Sequence, residues 1–134
     1  MKIWCDGSAN FQDPKEHLSA SRIVTEDGYQ ETFMLGKHTS NYAELNAVYE
    51  ALRYAVKIKL RDVEVISDSR VALRWLDVGP SDRLSADRAE EVRSLRDKIL
   101  LLVSKIPNPP TLRWCPRKEQ RADLKDLRKK RERH

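Results

Sequence analysis

The sequence predicts one α/β domain with its elements in the order βββαβααβα. Three observations carry this expectation. Strand-like runs early in the chain are joined by an Asp-Gly turn, apolar residues recur at helical spacing from residue 41 onward, and a strand-then-helix step lies between residues 63 and 79. At 134 residues and 40% hydrophobic content, the chain can bury one ordinary core and has no room for two.

Met1–Asp6 reads as a short strand, and the small residues Gly7 and Ser8 would let the backbone turn sharply beside whatever Asp6 binds. Ser19–Thr25 and Tyr29–Leu35 read as a hairpin, because Glu26-Asp27-Gly28 separates two β-prone runs. From Asn41 to about Lys57, Leu45, Val48, Leu52, Ala55 and Val56 mark an amphipathic helix that Ser40 or Asn41 could cap. Val63–Ser67 is a buried strand, and the following helix through Val71, Leu73, Trp75 and Leu76 stops near Gly79-Pro80. Ser85–Lys105 is a long helix with Val92, Leu95, Ile99, Leu102 and Val103 on one face, ended by Pro107-Asn108-Pro109-Pro110. Thr111–Cys115 is the fifth strand, and a last helix starts near Lys118. Its end, Arg128–His134, is too charged to pack, so a domain over residues 1–127 with a basic tail at 128–134 is expected.

No apolar run approaches the roughly 18 residues of a membrane span, and the N-terminus turns polar too early for a signal peptide. A soluble, cytoplasmic monomer is the expectation. Cys5 and Cys115 show no metal-ligand spacing and read as buried free thiols. The net charge of +5 is localised: residues 113–134 carry ten Lys/Arg against four Asp/Glu, whereas residues 1–112 carry 16 against 17. A basic end on a near-neutral body fits either a polyanion partner or a solvated tail.

Glu44 is the local anomaly. At about 100° per residue it falls inside the apolar arc of Leu45, Val48, Ala51, Leu52 and Ala55. Such a carboxylate needs a partner, either a nearby Lys or Arg or a bound cation. Asp6 ends the first strand and Asp68 the fourth, so neighbouring strands would deliver both to one sheet edge beside the Asn41 helix. Each has a plainer use as well, Asp6 in an Asp-Gly turn and Asp68 as a helix cap. If the three converge, their mutual repulsion is best relieved by divalent cations, and an all-oxygen ligand set suits Mg²⁺ or Mn²⁺. His17, His38 and His134 are isolated and read as surface residues, and no zinc-type cluster or Gly-rich phosphate loop competes.

The segments Asp6-Gly7-Ser8, Thr39-Ser40-Asn41-Tyr42-Ala43-Glu44-Leu45, Ser67-Asp68-Ser69 and Arg121-Ala122-Asp123 together resemble the ribonuclease H family over nearly the whole chain. The resemblance implies a ribonuclease H-like five-stranded mixed sheet in the order 3-2-1-4-5 with helices on both faces. It implies a metal-dependent endonuclease that hydrolyses the RNA strand of RNA/DNA hybrids to 5′-phosphate and 3′-hydroxyl products. Asp6, Glu44, Asp68 and Asp123 would be both the catalytic and the metal-binding residues. They would hold two Mg²⁺ ions, with Mn²⁺ as a substitute, one activating a water and the other stabilising the leaving 3′ oxygen. By the same similarity Ser8 and Asn41 would meet RNA sugars and Thr39 a DNA-strand phosphate. Asn41 and Thr39 could equally serve only the helix start. Asp126, one turn beyond Asp123, is the other candidate for the fourth carboxylate, and the Arg-Ala-Asp context favours Asp123.

Two segments depart from the family pattern. Trp114-Cys115-Pro116-Arg117-Lys118-Glu119-Gln120 replaces a longer loop that carries a His in many members, so that role would pass to Arg117, Lys118 or solvent or be lost, and turnover is expected to be slow. Asn10-Phe11-Gln12-Asp13-Pro14-Lys15 replaces a Gly-rich hairpin turn. Arg88, Arg93, Arg96 and Lys98 alternate with acids and read as a solvated helix face, leaving Lys125–Arg133 as the source of added backbone affinity. The rival readings are another nuclease of the same superfamily, a resolvase or an exonuclease, and a non-catalytic nucleic-acid-binding module.

Overall fold

The computed structural model describes residues 1–11 and 18–124. The basic tail, Asp126, His17, His134 and the stretch expected to form the last helix beyond residue 124 lie outside the described residues. Five strands form one sheet: β1 Lys2–Ser8, β2 Ser19–Thr25, β3 Gln30–Gly36, β4 Glu64–Ser67 and β5 Thr111–Trp114. Their order is β3-β2-β1-β4-β5, with β1, β2 and β3 antiparallel and β4 and β5 joined in parallel to β1. The sheet is therefore mixed and carries the predicted 3-2-1-4-5 order. The helices are α1 Ser40–Lys57, α2 Arg70–Val78 and α3 Ala86–Ser104.

Among the described residues the three helices pack on one face of the sheet. Ile3, Cys5, Ile23 and Val65 point to that face and meet Leu45, Val48, Leu52, Trp75, Val92, Leu95 and Ile99. Each fully buried Ile, Leu or Val there contributes on the order of 1.5–3 kcal/mol of transfer free energy. The opposite face carries Trp4, Ile66, Cys115 and Ala122 in one apolar cluster and Phe11, Ala20 and Leu124 in another. Residues of the segment 115–124 thus cover part of the second face. Both cysteines are free and buried, as their contexts predict.

Four local expectations are corrected. β1 does not end at Asp6: Gly7 and Ser8 continue the ladder opposite Ser21 and Ala20. Gly7 is needed for close approach rather than for a turn. A Cβ there would lie 2.3 Å from the backbone carbon of Ala43 and the backbone nitrogen of Glu44. The cap of α1 is Thr39, whose hydroxyl accepts the Tyr42 N–H at 3.1 Å, so Ser40 and Asn41 are the first helical residues. The last helix does not start at Lys118. Arg117–Glu119 form a single 3-10 turn, and the Ala122 N–H is taken by the Gln120 side chain at 3.1 Å, which diverts it from a helical carbonyl. Arg96 is not simply solvated either, since its Nε donates to the Leu76 carbonyl at 2.9 Å and ties α3 to the end of α2.

A second polar tie fixes α1 against the sheet. The Ser21 hydroxyl donates to the Ala43 carbonyl at 2.6 Å and accepts from the Asn46 amide at 3.3 Å, all of it buried. Gly7→Ala is expected to destabilise the protein by about 3 kcal/mol or more, because backbone rather than a yielding side chain blocks the new methyl group. Urea unfolding of the two proteins measures this; equal midpoints would mean that α1 can retreat at little cost.

Candidate metal centre

The sheet topology brings three of the predicted acids together. Asp6 projects from β1 on the face opposite α1, Asp68 follows the parallel neighbour β4, and Glu44 reaches in from the second turn of α1. Each offers a carboxylate oxygen, and these oxygens all lie within 4.8 Å of one another. They line a cleft of about 520 Å³ with Gly7, Ser8, Ser40 and Arg117.

The plainer uses of these acids are occupied or missing. Ser69, not Asp68, caps α2 by accepting the Ala72 N–H at 3.1 Å. Asp6 sits inside a strand, and its Oδ2 accepts the Leu124 N–H at 2.9 Å from 118 residues away. Among the described residues none of the three makes an ion pair, whereas the buried Glu50 of the same helix has Arg53 at 3.1 Å. Glu44 Oε2 is buried and has no hydrogen-bond partner there. An orphaned buried carboxylate oxygen costs free energy unless a cation or a proton reaches it.

The electrostatics follow from this crowding. Burial, then the Asp6 charge, pushes the Glu44 carboxyl far above the usual carboxylate range. Asp6 is raised to about 6, chiefly by burial, with Asp68 adding to it and the hydrogen bond with Glu44 opposing. Without a cation the crowded pair is therefore driven to share a proton. The buried Cys5 thiol beside them is also raised, by burial first and then by the Glu44 charge. An all-carboxylate cluster of this kind has the donor chemistry for a hard divalent cation.

The other predicted residues divide. Asp123 is half-buried and lies outside the cluster of three, near enough for its charge to act on Asp6 and on Arg22, which stands opposite Asp6 in the β1–β2 register. Ser8 and Arg117 face the acidic cleft, and Thr39 and Asn41 stand at the start of α1. Lys118 instead lines a separate cavity with Trp4, Arg113, Cys115, Gln120 and Arg121. His38 stacks on Tyr42 at 4.3 Å and takes no part.

Three residues that sequence reasoning passed over belong to this region. The Trp114 indole N–H donates to the Asp68 carbonyl at 3.2 Å, and Arg70 lies 4.0 Å above the Trp114 ring. Gln120, buried, donates to the Cys5 carbonyl at 2.9 Å and to Asp68 Oδ1 at 3.4 Å. Nothing in a polar residue near the end of a loop marks it for burial; only the pairing of β5 with β4 puts it there.

The RNase H family model matches residues 1–114. Among solved structures, RNase H1 from the halophilic archaeon Halobacterium salinarum is 23% identical with a TM-score of 0.71, covering 91% of this chain and 90% of its own. The N-terminal RNase H domain of a Mycobacterium tuberculosis protein, solved as a fusion with maltose-binding protein, is 18% identical with a TM-score of 0.69 and 92% coverage of both chains. Among curated proteins none matches the sequence.

Because the folded Asp6 carboxyl is raised from 3.8 to about 6, its stabilising contribution is complete below about pH 4 and is lost as pH rises through about 6. Asp6→Asn keeps an acceptor for the Leu124 N–H and cannot ionise. The metal-free variant is expected to exceed wild type by about 1–3 kcal/mol at neutral pH, with the gap closing near pH 4. Chemical denaturation in EDTA at both pH values tests this; a variant weaker than wild type at pH 7.5 would refute the shared-proton account.

Proposed function

The chain belongs to the RNase H family, and from that premise we propose that it is a metal-dependent endonuclease that cuts the RNA strand of RNA/DNA hybrids, leaving 5′-phosphate and 3′-hydroxyl ends. The observation that carries the proposal is the convergence of Asp6, Glu44 and Asp68 in an open cleft, with none of the three in an ion pair among the described residues. The orphaned Glu44 oxygen and the all-oxygen donor set fit a divalent cation. Asp6, Glu44 and Asp68 would hold two Mg²⁺ ions, or Mn²⁺, with Asp123 the fourth ligand. Bound there, the ions supply Lewis-acid activation of a water and neutralise charge on the leaving oxygen.

The chain's own groups bind and orient the substrate. Arg117 brings a fixed positive charge to the edge of the cleft, suited to a backbone phosphate beside the cut. Ser8 and Ser40 place hydroxyls on the cleft wall, suited to sugar hydroxyls, and Asn41 stands exposed beside Ser40. Thr39 uses its hydroxyl oxygen to cap α1, which leaves its O–H free to donate to a phosphate on the other strand. Discriminating a hybrid from either duplex would rest on 2′-hydroxyls and groove shape, not on base sequence. Lys118, on the far side of Gln120, would add only long-range attraction.

The test incubates wild type, Asp6→Asn and Asp68→Asn with labelled RNA/DNA hybrid, RNA duplex and DNA duplex in Mg²⁺, Mn²⁺ or EDTA. Wild type is expected to cut only the hybrid, only with metal, and each substitution to slow cutting by at least about 100-fold. Cutting that survives EDTA would remove the metal mechanism, and equal cutting of DNA duplex would move the assignment to a resolvase-like or exonuclease-like activity.

A further inference from the structure

The structure assigns Gln120 a role beyond loop structure: we propose that it is the positioning residue that sets the two sheet-borne carboxylates, Asp6 and Asp68, for metal binding. This rests on the metal-dependent reading above and names a residue outside the carboxylate set. Four hydrogen bonds carry it. The Gln120 amide nitrogen donates to the Cys5 carbonyl at 2.9 Å, in the peptide unit immediately before Asp6. The same nitrogen donates to Asp68 Oδ1 at 3.4 Å. Its amide oxygen accepts the Ala122 N–H at 3.1 Å. Two residues later, the Leu124 N–H closes the circuit on Asp6 Oδ2 at 2.9 Å.

The chemistry selects an amide. On one side stand two acceptors, a carbonyl and a carboxylate oxygen, and on the other a single donor N–H. A carboxamide offers two N–H donors and an acceptor oxygen in one planar group, whereas a carboxylate offers only acceptors and an aliphatic chain offers neither. Gln120 is 7% exposed, so water cannot readily replace the missing partners. Its anchorage is also firm: Ala122 packs with Trp4, Ile66 and Cys115, and Arg121 lies 4.2 Å above the Trp4 ring.

By holding one oxygen of each acid, this circuit leaves the other oxygen of each outside these bonds. It also fixes the backbone on both sides of Asp123, between Ala122 and Leu124. A short segment from Pro116 to Gln120 can therefore orient the acids by one buried side chain. Groups that orient metal ligands from behind typically change metal affinity by about 10–100-fold when removed.

The test compares Mn²⁺ binding, read by electron paramagnetic resonance, in wild type, Gln120→Met and Val92→Ala. Val92→Ala opens the α3 core far from the cleft and controls for loss of stability alone. Gln120→Met is expected to weaken Mn²⁺ binding by at least about 10-fold, whereas Val92→Ala leaves it unchanged at a similar loss of melting temperature. Wild-type affinity in a folded Gln120→Met protein would overturn the proposal. If that variant does not fold, proton–nitrogen NMR of wild type decides: slowly exchanging Gln120 side-chain amide protons that shift on Mg²⁺ titration support it, and rapid exchange or no shift overturns it. A wild type that binds no Mn²⁺ at millimolar concentration would instead bring down the metal-dependent reading itself, and this proposal with it.

Discussion

The backbone contact between β1 and α1 at Gly7 is the constraint on which the acidic cleft depends. A strand and a helix normally stand apart by the thickness of their side chains. At Gly7 that layer is missing, and the peptide between Ala43 and Glu44 occupies the volume a Cβ would need. The Ser21 bond to the Ala43 carbonyl locks the same point from the neighbouring strand. Because the contact falls beside Glu44 and directly after Asp6, it sets how near the helix carboxylate comes to the strand carboxylate. A looser packing would leave two acids at ordinary spacing and ordinary acidity.

The cost of that closeness is visible in the charges. Two buried carboxyls and a third nearby repel one another and lose hydration. Elsewhere the fold handles such a cost by pairing, as Glu50 does with Arg53 and Glu64 with Arg113. In the cleft the cations stand back: Arg22 is opposite Asp6 in the sheet, and Arg117 is on the wall. The described donors that touch the acids include the Leu124 and Gly7 N–H groups and the Gln120 amide, which are neutral and orient without neutralising. Negative potential is thereby kept available for a ligand of opposite sign.

Much of this was legible in the residues, at different strengths. Glu44 announced itself, because a helix has a fixed period and an acid inside an apolar arc breaks the pattern wherever the helix packs. The hairpin at Asp27-Gly28 and the stop at Gly79 were local backbone events and followed local rules. Gly7 reads as a turn residue from sequence alone, since only the helix that crosses it shows why a side chain is excluded there. The start of the last helix was misplaced for a related cause. Lys118-Glu119-Gln120 has ordinary helical composition, but the Gln120 side chain captures the Ala122 N–H and holds the chain out of the helix.

The sequence by itself determined the order of the elements as far as β5, the free buried thiols and the set of acids from which a metal site could be built. These depend on periodicity and composition, which act over a few residues. Only the tertiary structure decided that Asp6, Glu44 and Asp68 share one cleft, that no described cation pairs with them, and that Gln120 stands behind them. Those facts arise from contacts between residues up to 118 apart, where a strand register, a missing Cβ and one buried amide fix distances that no local pattern encodes.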